Sequence, residues 1–114
     1  MKGRVMDEEV EVITVGLRPE LHCTFGFTVV PELLLEDAKD EEFDAIAVPG
    51  GFERAGFYND AYSDRFLDIF RRFAAAGKPI AAICTGALPV ARSGVLRGRR
   101  ATTYHLLEGK QVFE

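Results

Sequence analysis

The chain is poor in cysteine and histidine, it carries no excess of positive charge, and it contains no long apolar run. Each shortage excludes something. Its two cysteines, Cys23 and Cys84, allow one disulfide at most, and a pair of thiols in an otherwise ordinary chain suits a reducing compartment in which neither is bridged. With only two histidines and no His/Cys grouping at zinc-ligand spacing, no metal site is expected, and no cofactor either. Lys and Arg total 14 against 18 Asp and Glu, a formal net charge of -4, which argues against a nucleic-acid partner, since that would call for a basic face. No apolar run approaches the roughly 20 residues that span a bilayer. Residues 1–9 are charged and lack the apolar core of a secretory signal, so no membrane partner and a cytoplasmic location are expected. Repeats and low-complexity linkers are absent.

What is present is the composition of one globular α/β domain across residues 1–114. Val10 to Val15 alternates and then turns continuously apolar, as a strand does, and Gly16 stops it. Cys23 to Val30 is a second strand-like run between Pro19 and Pro31, better suited to an edge or hairpin than to a sheet centre. His22 and Cys23 there read as structural residues. Leu33 to Glu42 reads as a helical turn and loop. Phe43 to Val48 reads as a buried strand broken by Pro49-Gly50-Gly51. Asn59 to Ala76 carries Phe66, Leu67, Phe70 and Phe73 at helical spacing and ends at Gly77-Lys78-Pro79. Pro79 to Ile83 is another apolar strand, a helix follows over about Gly86 to Arg92, and Ala101-Thr102-Thr103 and Tyr104 to Lys110 read as a short strand and a last helical segment. Apolar strands alternating with amphipathic helices predict a doubly wound, mostly parallel sheet with helices on both faces. The chain opens almost directly on a strand and stops as another begins at Val112-Phe113-Glu114, so the domain is expected to be truncated at both ends. Arg97, Arg99 and Arg100 form a local basic cluster that reads first as a solvated turn and alternatively as an anion site.

The chemistry concentrates at Ala82-Ile83-Cys84-Thr85-Gly86-Ala87. An apolar strand ends on a cysteine and a small-residue helix opens at once behind it. Such a turn lifts its central side chain to the carboxyl edge of the sheet and sets the sulfur against helix amides, which favour thiolate. The local pattern alone leaves nucleophile and packing cysteine both open. Gly50 and Gly51 end the other apolar strand, and in a parallel sheet the loops at strand carboxyl ends line the ligand crevice. The Gly51 and Thr85 amides are then placed to hold an oxyanion beside the sulfur.

Val48-Pro49-Gly50-Gly51, Gly77-Lys78-Pro79-Ile80-Ala81-Ala82-Ile83-Cys84-Thr85-Gly86 and Gly94-Val95-Leu96-Arg97-Gly98-Arg99-Arg100-Ala101-Thr102-Thr103, in this order and spacing, resemble the ThiJ/PfpI superfamily. This is the family of the parkinsonism-linked deglycase, with a class I glutamine amidotransferase-like (flavodoxin-like) fold. The resemblance runs from about Val10 to the end of the chain. It implies Cys84 as nucleophile, Gly51 and Thr85 as oxyanion donors with Gly50 and Gly86 beside them, a small-molecule substrate, no cofactor and a homodimer. It also implies an acidic residue next to the thiol, carried by a first strand and helix that this chain lacks. Gly51-Phe52-Glu53 is similar to that acidic segment but follows the Pro-Gly-Gly turn, so Glu53 is read as a loop carboxylate. Deglycase-like members have His directly after the paired threonines; here Tyr104 stands there and His105 follows, rotated by about 100° on a helix, as the candidate proton shuttle. Thr85 after the cysteine is similar to the isonitrile-hydratase-like branch. The implied activity is that of a cysteine-dependent hydrolase, hydratase or deglycase. The alternatives are a redox-sensing or ligand-binding domain, or an inactive fragment of such an enzyme.

Overall fold

The structure is a computed structural model that describes residues 2–51 and 56–102. Strands β1 (Lys2–Val5) and β2 (Glu8–Glu11) form an antiparallel hairpin, with Lys2 opposite Glu11 and Val5 opposite Glu8. Its two-residue turn places Met6 and Asp7 at positive φ, 49° and 68°, as a turn matched to strand twist requires. The single strand expected over Val10 to Val15 is therefore divided. Its first residues belong to this exposed hairpin, and only β3 (Val15–Gly16) enters the body of the protein, parallel to β6 (Leu33–Leu34). The division follows the polarity of the segment, because Glu8, Glu9 and Glu11 tolerate solvent on both faces and Val15 does not.

Cys23 to Val30 is a hairpin rather than one strand. β4 (Leu21–His22) pairs antiparallel with β5 (Thr28–Val29) around a 3₁₀ turn at Thr24–Gly26. Leu33 to Glu42 contains β6 and two further 3₁₀ turns, Leu35–Asp37 and Asp40–Glu42.

The part that positions the site is a parallel β-α-β unit. β7 (Ile46–Val48) and β8 (Ile80–Ala82) pair Ile46 with Ile80, Ala47 with Ala81 and Val48 with Ala82. Parallel neighbours need a crossover, supplied here by α1 (Phe57–Ala61) and α2 (Asp64–Ala75). The one long helix expected from Asn59 to Ala76 is broken at Tyr62-Ser63, and Ser63 is the N-cap residue of α2. Its far end closes as predicted. The Gly77 amide donates to the Ala74 carbonyl at 3.0 Å and the Lys78 amide to the Phe73 carbonyl at 2.9 Å, with Gly77 at φ 71°. This is the paired-bond stop that only glycine enters without strain.

Leu67, Ile69, Phe70 and Phe73 of α2 join Leu35 and Val90 in the core, with Phe66, Val48, Ile46 and Ile80 packed around them. The helical spacing of those aromatics thus builds the core face. α2 lies against β8 and against α3 (Ala87–Arg92). β7 and β8 are less enclosed than their apolar sequences suggest: Ile83, just past β8, is 71% exposed. Among the described residues β8 has a hydrogen-bonded neighbour on one side only, and apolar content says nothing about how many neighbours a strand has. No helix among the described residues is long and apolar enough to cross a membrane. The strand and helix expected at Thr103 and over Tyr104 to Lys110 lie outside the described residues; Ala101 and Thr102 form no regular element.

Candidate active site

β8 continues one ladder bond past its end, the Ile83 amide donating to the Val48 carbonyl at 3.1 Å. The chain then turns within a single residue. Cys84 takes φ 56°, a left-handed conformation that costs an L-residue roughly 1–2 kcal/mol. A 3₁₀ turn, Cys84–Gly86, runs directly into α3. A side chain held at a strand-to-helix corner in a disfavoured conformation stands out from both elements, which is the geometry of a nucleophile elbow. Cys84 is half-buried and neither cysteine is in a disulfide.

The double-glycine turn lies on this corner, backbone against backbone. A Cβ at Gly50 would sit 2.9 Å from Cys84 Cβ, 3.0 Å from Thr85 Oγ1 and 3.1 Å from the Thr85 amide nitrogen. A Cβ at Gly86 would sit 2.5 Å from the Val48 carbonyl oxygen and 2.7 Å from that of Pro49. Both glycines are required because the two strand ends approach too closely for any side chain.

Thr85 ties the two loops together. Its hydroxyl donates to the Gly51 carbonyl at 2.8 Å and accepts from the Gly51 amide at 2.9 Å. The residue is 1% exposed, so both bonds are shielded from competing water. The Gly51 amide, expected to face the sulfur, is therefore engaged by the Thr85 hydroxyl in this structure. Sequence reasoning missed this clasp; the signal for it was a small hydroxyl residue at the corner position, in reach of any backbone brought close to it.

The structure thus gathers Cys84, Thr85, Gly86, Gly50 and Gly51 at one sheet edge. His105 and Glu53 lie outside the described residues. His22 sits exposed on β4 opposite Thr28. Cys23 is part-buried, its Sγ 3.6 Å from the Leu21 carbonyl oxygen within its own hairpin. No cluster of three or more metal-ligating side chains occurs among the described residues.

A parallel β-α-β unit whose second strand ends at a cysteine corner, braced by a glycine turn from the first, places this chain among the α/β proteins. The sequence profile of the DJ-1/PfpI family matches residues 3–112, and the chain belongs to that family. It is 40% identical to a deglycase of Pyrococcus horikoshii over 104 residues, 89% of this chain and 60% of that protein. It is 34% identical to an isonitrile hydratase of Pseudomonas putida over 98 residues, 86% of this chain and 40% of that protein. A solved structure of oxidised DJ-1 from Toxoplasma gondii superposes with a TM-score of 0.69 at 28% identity, over 82% of this chain and 52% of that one. The fold is accordingly the α/β, flavodoxin-like fold of this family, and the chain spans about 60% of the length of the deglycase it matches.

Proposed function

We propose that the chain carries the catalytic elbow of a cofactor-free, cysteine-dependent hydrolase, hydratase or deglycase acting on a small electrophilic carbon. The observation that carries this reading is the left-handed Cys84 at the strand-to-helix corner, pressed against Gly50. Deglycase and isonitrile hydratase relatives support the same range of chemistry. The thiolate adds to a carbonyl, amide or isonitrile carbon. A C–S bond forms, and with a carbonyl the π pair moves onto oxygen. The Thr85 amide beside Gly50 receives that oxygen. The Gly51 amide joins it when the Thr85 hydroxyl yields its bond. With an amide the oxyanion collapses, the C–N bond breaks and the amine leaves protonated, giving a thioester whose acyl carbon water attacks as the sulfur leaves with its electron pair. With an isonitrile the nitrogen takes a proton to give a thioimidate, and water displaces the sulfur to give an N-substituted formamide. The proton traffic is assigned to His105. The working unit is a homodimer in the cytoplasm.

The test is turnover of methylglyoxal, simple amides and an alkyl isonitrile by the wild type and by Cys84→Ala. Loss of turnover in the variant is expected; equal turnover removes Cys84 from the mechanism. His105→Asn is expected to slow turnover while leaving alkylation of Cys84 by iodoacetamide intact. Sedimentation analysis checks the dimer.

A second reading, redox sensing, is favoured by the half-buried thiol and by likeness to the oxidised Toxoplasma gondii structure. Peroxide transfers one oxygen to the thiolate, giving sulfenate and water, and a second equivalent gives sulfinate. Intact mass after mild peroxide distinguishes the readings: oxygen addition at Cys84 without turnover of any electrophile supports the sensor.

A further inference from the structure

We propose that the cleft between α2 and the residues following α3 is a binding site for a small phosphate-bearing molecule. The cleft is a shallow depression open to solvent, with a volume of about 430 Å³, and is lined by Arg71, Arg92, Ser93, Gly94, Val95 and Arg97. Three of these six are cations and none is an anion, in a chain whose net charge is -4. The three come from three places. Arg71 lies on α2, Arg92 is the last residue of α3, and Arg97 lies in the turn beyond. The sequence cluster Arg97, Arg99 and Arg100 contributes only its first member to the lining, and the fold supplies the other two.

Two of the guanidinium groups are held in place, Arg71 by a neutral carbonyl and a carboxylate and Arg92 by an aromatic ring. Arg71 Nε donates to the Ser93 carbonyl at 2.9 Å, and its Nη1 reaches Asp68 at 2.9 Å one turn back on the same exposed helix face. Arg92 lies over the Tyr62 ring, its Cζ 5.3 Å from the centroid, a contact that orients the group without adding an opposite charge. Among the described residues neither Arg92 nor Arg97 belongs to an ion pair. The bend between them is built rather than slack. The buried Ser93 hydroxyl donates to the Val90 carbonyl at 2.6 Å and accepts from the Val95 amide at 3.4 Å, Gly94 takes φ 92°, and the Arg97 amide closes on the Gly94 carbonyl at 3.3 Å.

Planar guanidinium forks remain charged at any working pH and match the oxygens of a phosphate two at a time. One arginine at the end of α3 answers the partial negative charge of a helix carboxyl terminus. Three converging on one cleft exceed that need. The volume suits a small molecule, and Val95 offers an apolar wall. A polyanion would need a continuous basic face, which the net charge of this chain disfavours. The site stands at the opposite end of α3 from Cys84, so its occupancy does not require the thiol.

The test uses the full chain and phenyl phosphate, titrated calorimetrically at low salt. Saturable 1:1 binding is expected, weakened about tenfold in Arg97→Gln and in Arg92→Gln, the loss of one charge-assisted contact each. Binding is expected to be unchanged in Cys84→Ser and within about twofold in an Arg99→Gln/Arg100→Gln control, which removes two charges outside the lining against the one removed in each single variant. Circular dichroism melts confirm that Arg97→Gln, a turn substitution, leaves the fold intact. Absence of saturable binding overturns the proposal. So does an equal loss in the control variant, which would reveal general charge attraction. Tighter binding of a single-stranded oligonucleotide than of phenyl phosphate also overturns it, in favour of a polymer-binding face.

Discussion

At Cys84 two constraints act on one residue: a left-handed backbone and a neighbour with no room for a methyl group. Gly50→Ala is expected to destabilise the chain by about 1–3 kcal/mol, as overpacking does, because the added carbon meets backbone on one side. Gly86→Ala is expected to cost at least as much, since it meets two carbonyl oxygens that belong to the β7 strand end. Urea denaturation of each variant checks both. Thr85 permits a sharper separation. Thr85→Val removes both bonds to Gly51 and leaves its part-buried amide and carbonyl to find other partners, a loss of about 1–3 kcal/mol. Thr85→Ser keeps the hydroxyl and should retain most of that stability, together with the rate of Cys84 alkylation. If valine and serine behave alike, the clasp has no role in holding the corner.

On the scale of elements, α2 organises the structure. Phe70 is 2% exposed and stacks against Phe66 with ring centroids 6.4 Å apart. Phe70→Ala should cost about 3–5 kcal/mol by the loss of burial and the cavity left behind, seen as a lowered unfolding midpoint. The amino end of the same helix behaves differently from most. Ser63 is the N-cap residue, yet its side chain makes no cap bond, and its buried hydroxyl has no partner among the described residues. Replacing an N-cap serine with alanine ordinarily costs about 1 kcal/mol. Here Ser63→Ala should change stability by less than about 0.5 kcal/mol, and a larger loss would show that the hydroxyl is bonded in solution. Asp60, at the start of the helix expected from Asn59, is engaged elsewhere: its carboxylate takes both ends of the Arg18 guanidinium, at 2.5 and 2.6 Å.

For the molecule as a whole, charge links segments distant in sequence. Arg18 meets Asp60 across 42 positions and Arg72 meets Asp40 across 32. The Lys78 ammonium donates to the Asp40 carbonyl at 2.8 Å and lies over the Phe73 ring. The hydrogen bonds that Arg18 donates to Asp60, and then the Asp60 charge, raise the Arg18 pKa above the ordinary arginine range. Asp40 does the same for Arg72, against a smaller opposing effect of burial. A basic group raised on folding stabilises the native state below its unfolded pKa and loses that contribution only as pH rises through the folded value. For both arginines that window lies in strong alkali, so neither arginine loses its charge near neutrality. Salt is the effective lever, because Arg18 is 59% exposed and its pair is open to screening. Thermal melts at low and high salt should differ more for the wild type than for Arg18→Gln; an equal difference would remove this pair as the source.

Local order was legible along the chain because it is written in spacing. The Phe66–Phe73 stripe, the Gly77 stop, the parallel reading of Phe43 to Val48 with Pro79 to Ile83, and the Cys84 corner each follow from periodicity or from a residue with one favoured conformation. What neighbours decide was not legible. The division of Val10 to Val15, the break at Tyr62-Ser63, the exposure of Ile83, the Thr85 clasp on Gly51 and the meeting of Arg71, Arg92 and Arg97 all depend on which distant segment arrives alongside. Backbone preference acts over a few residues and is carried by the residues themselves. Burial, hydrogen-bond partnership and local potential are sums over space, and only the folded chain brings positions 51 and 85, or 71 and 97, close enough to contribute to the same sum.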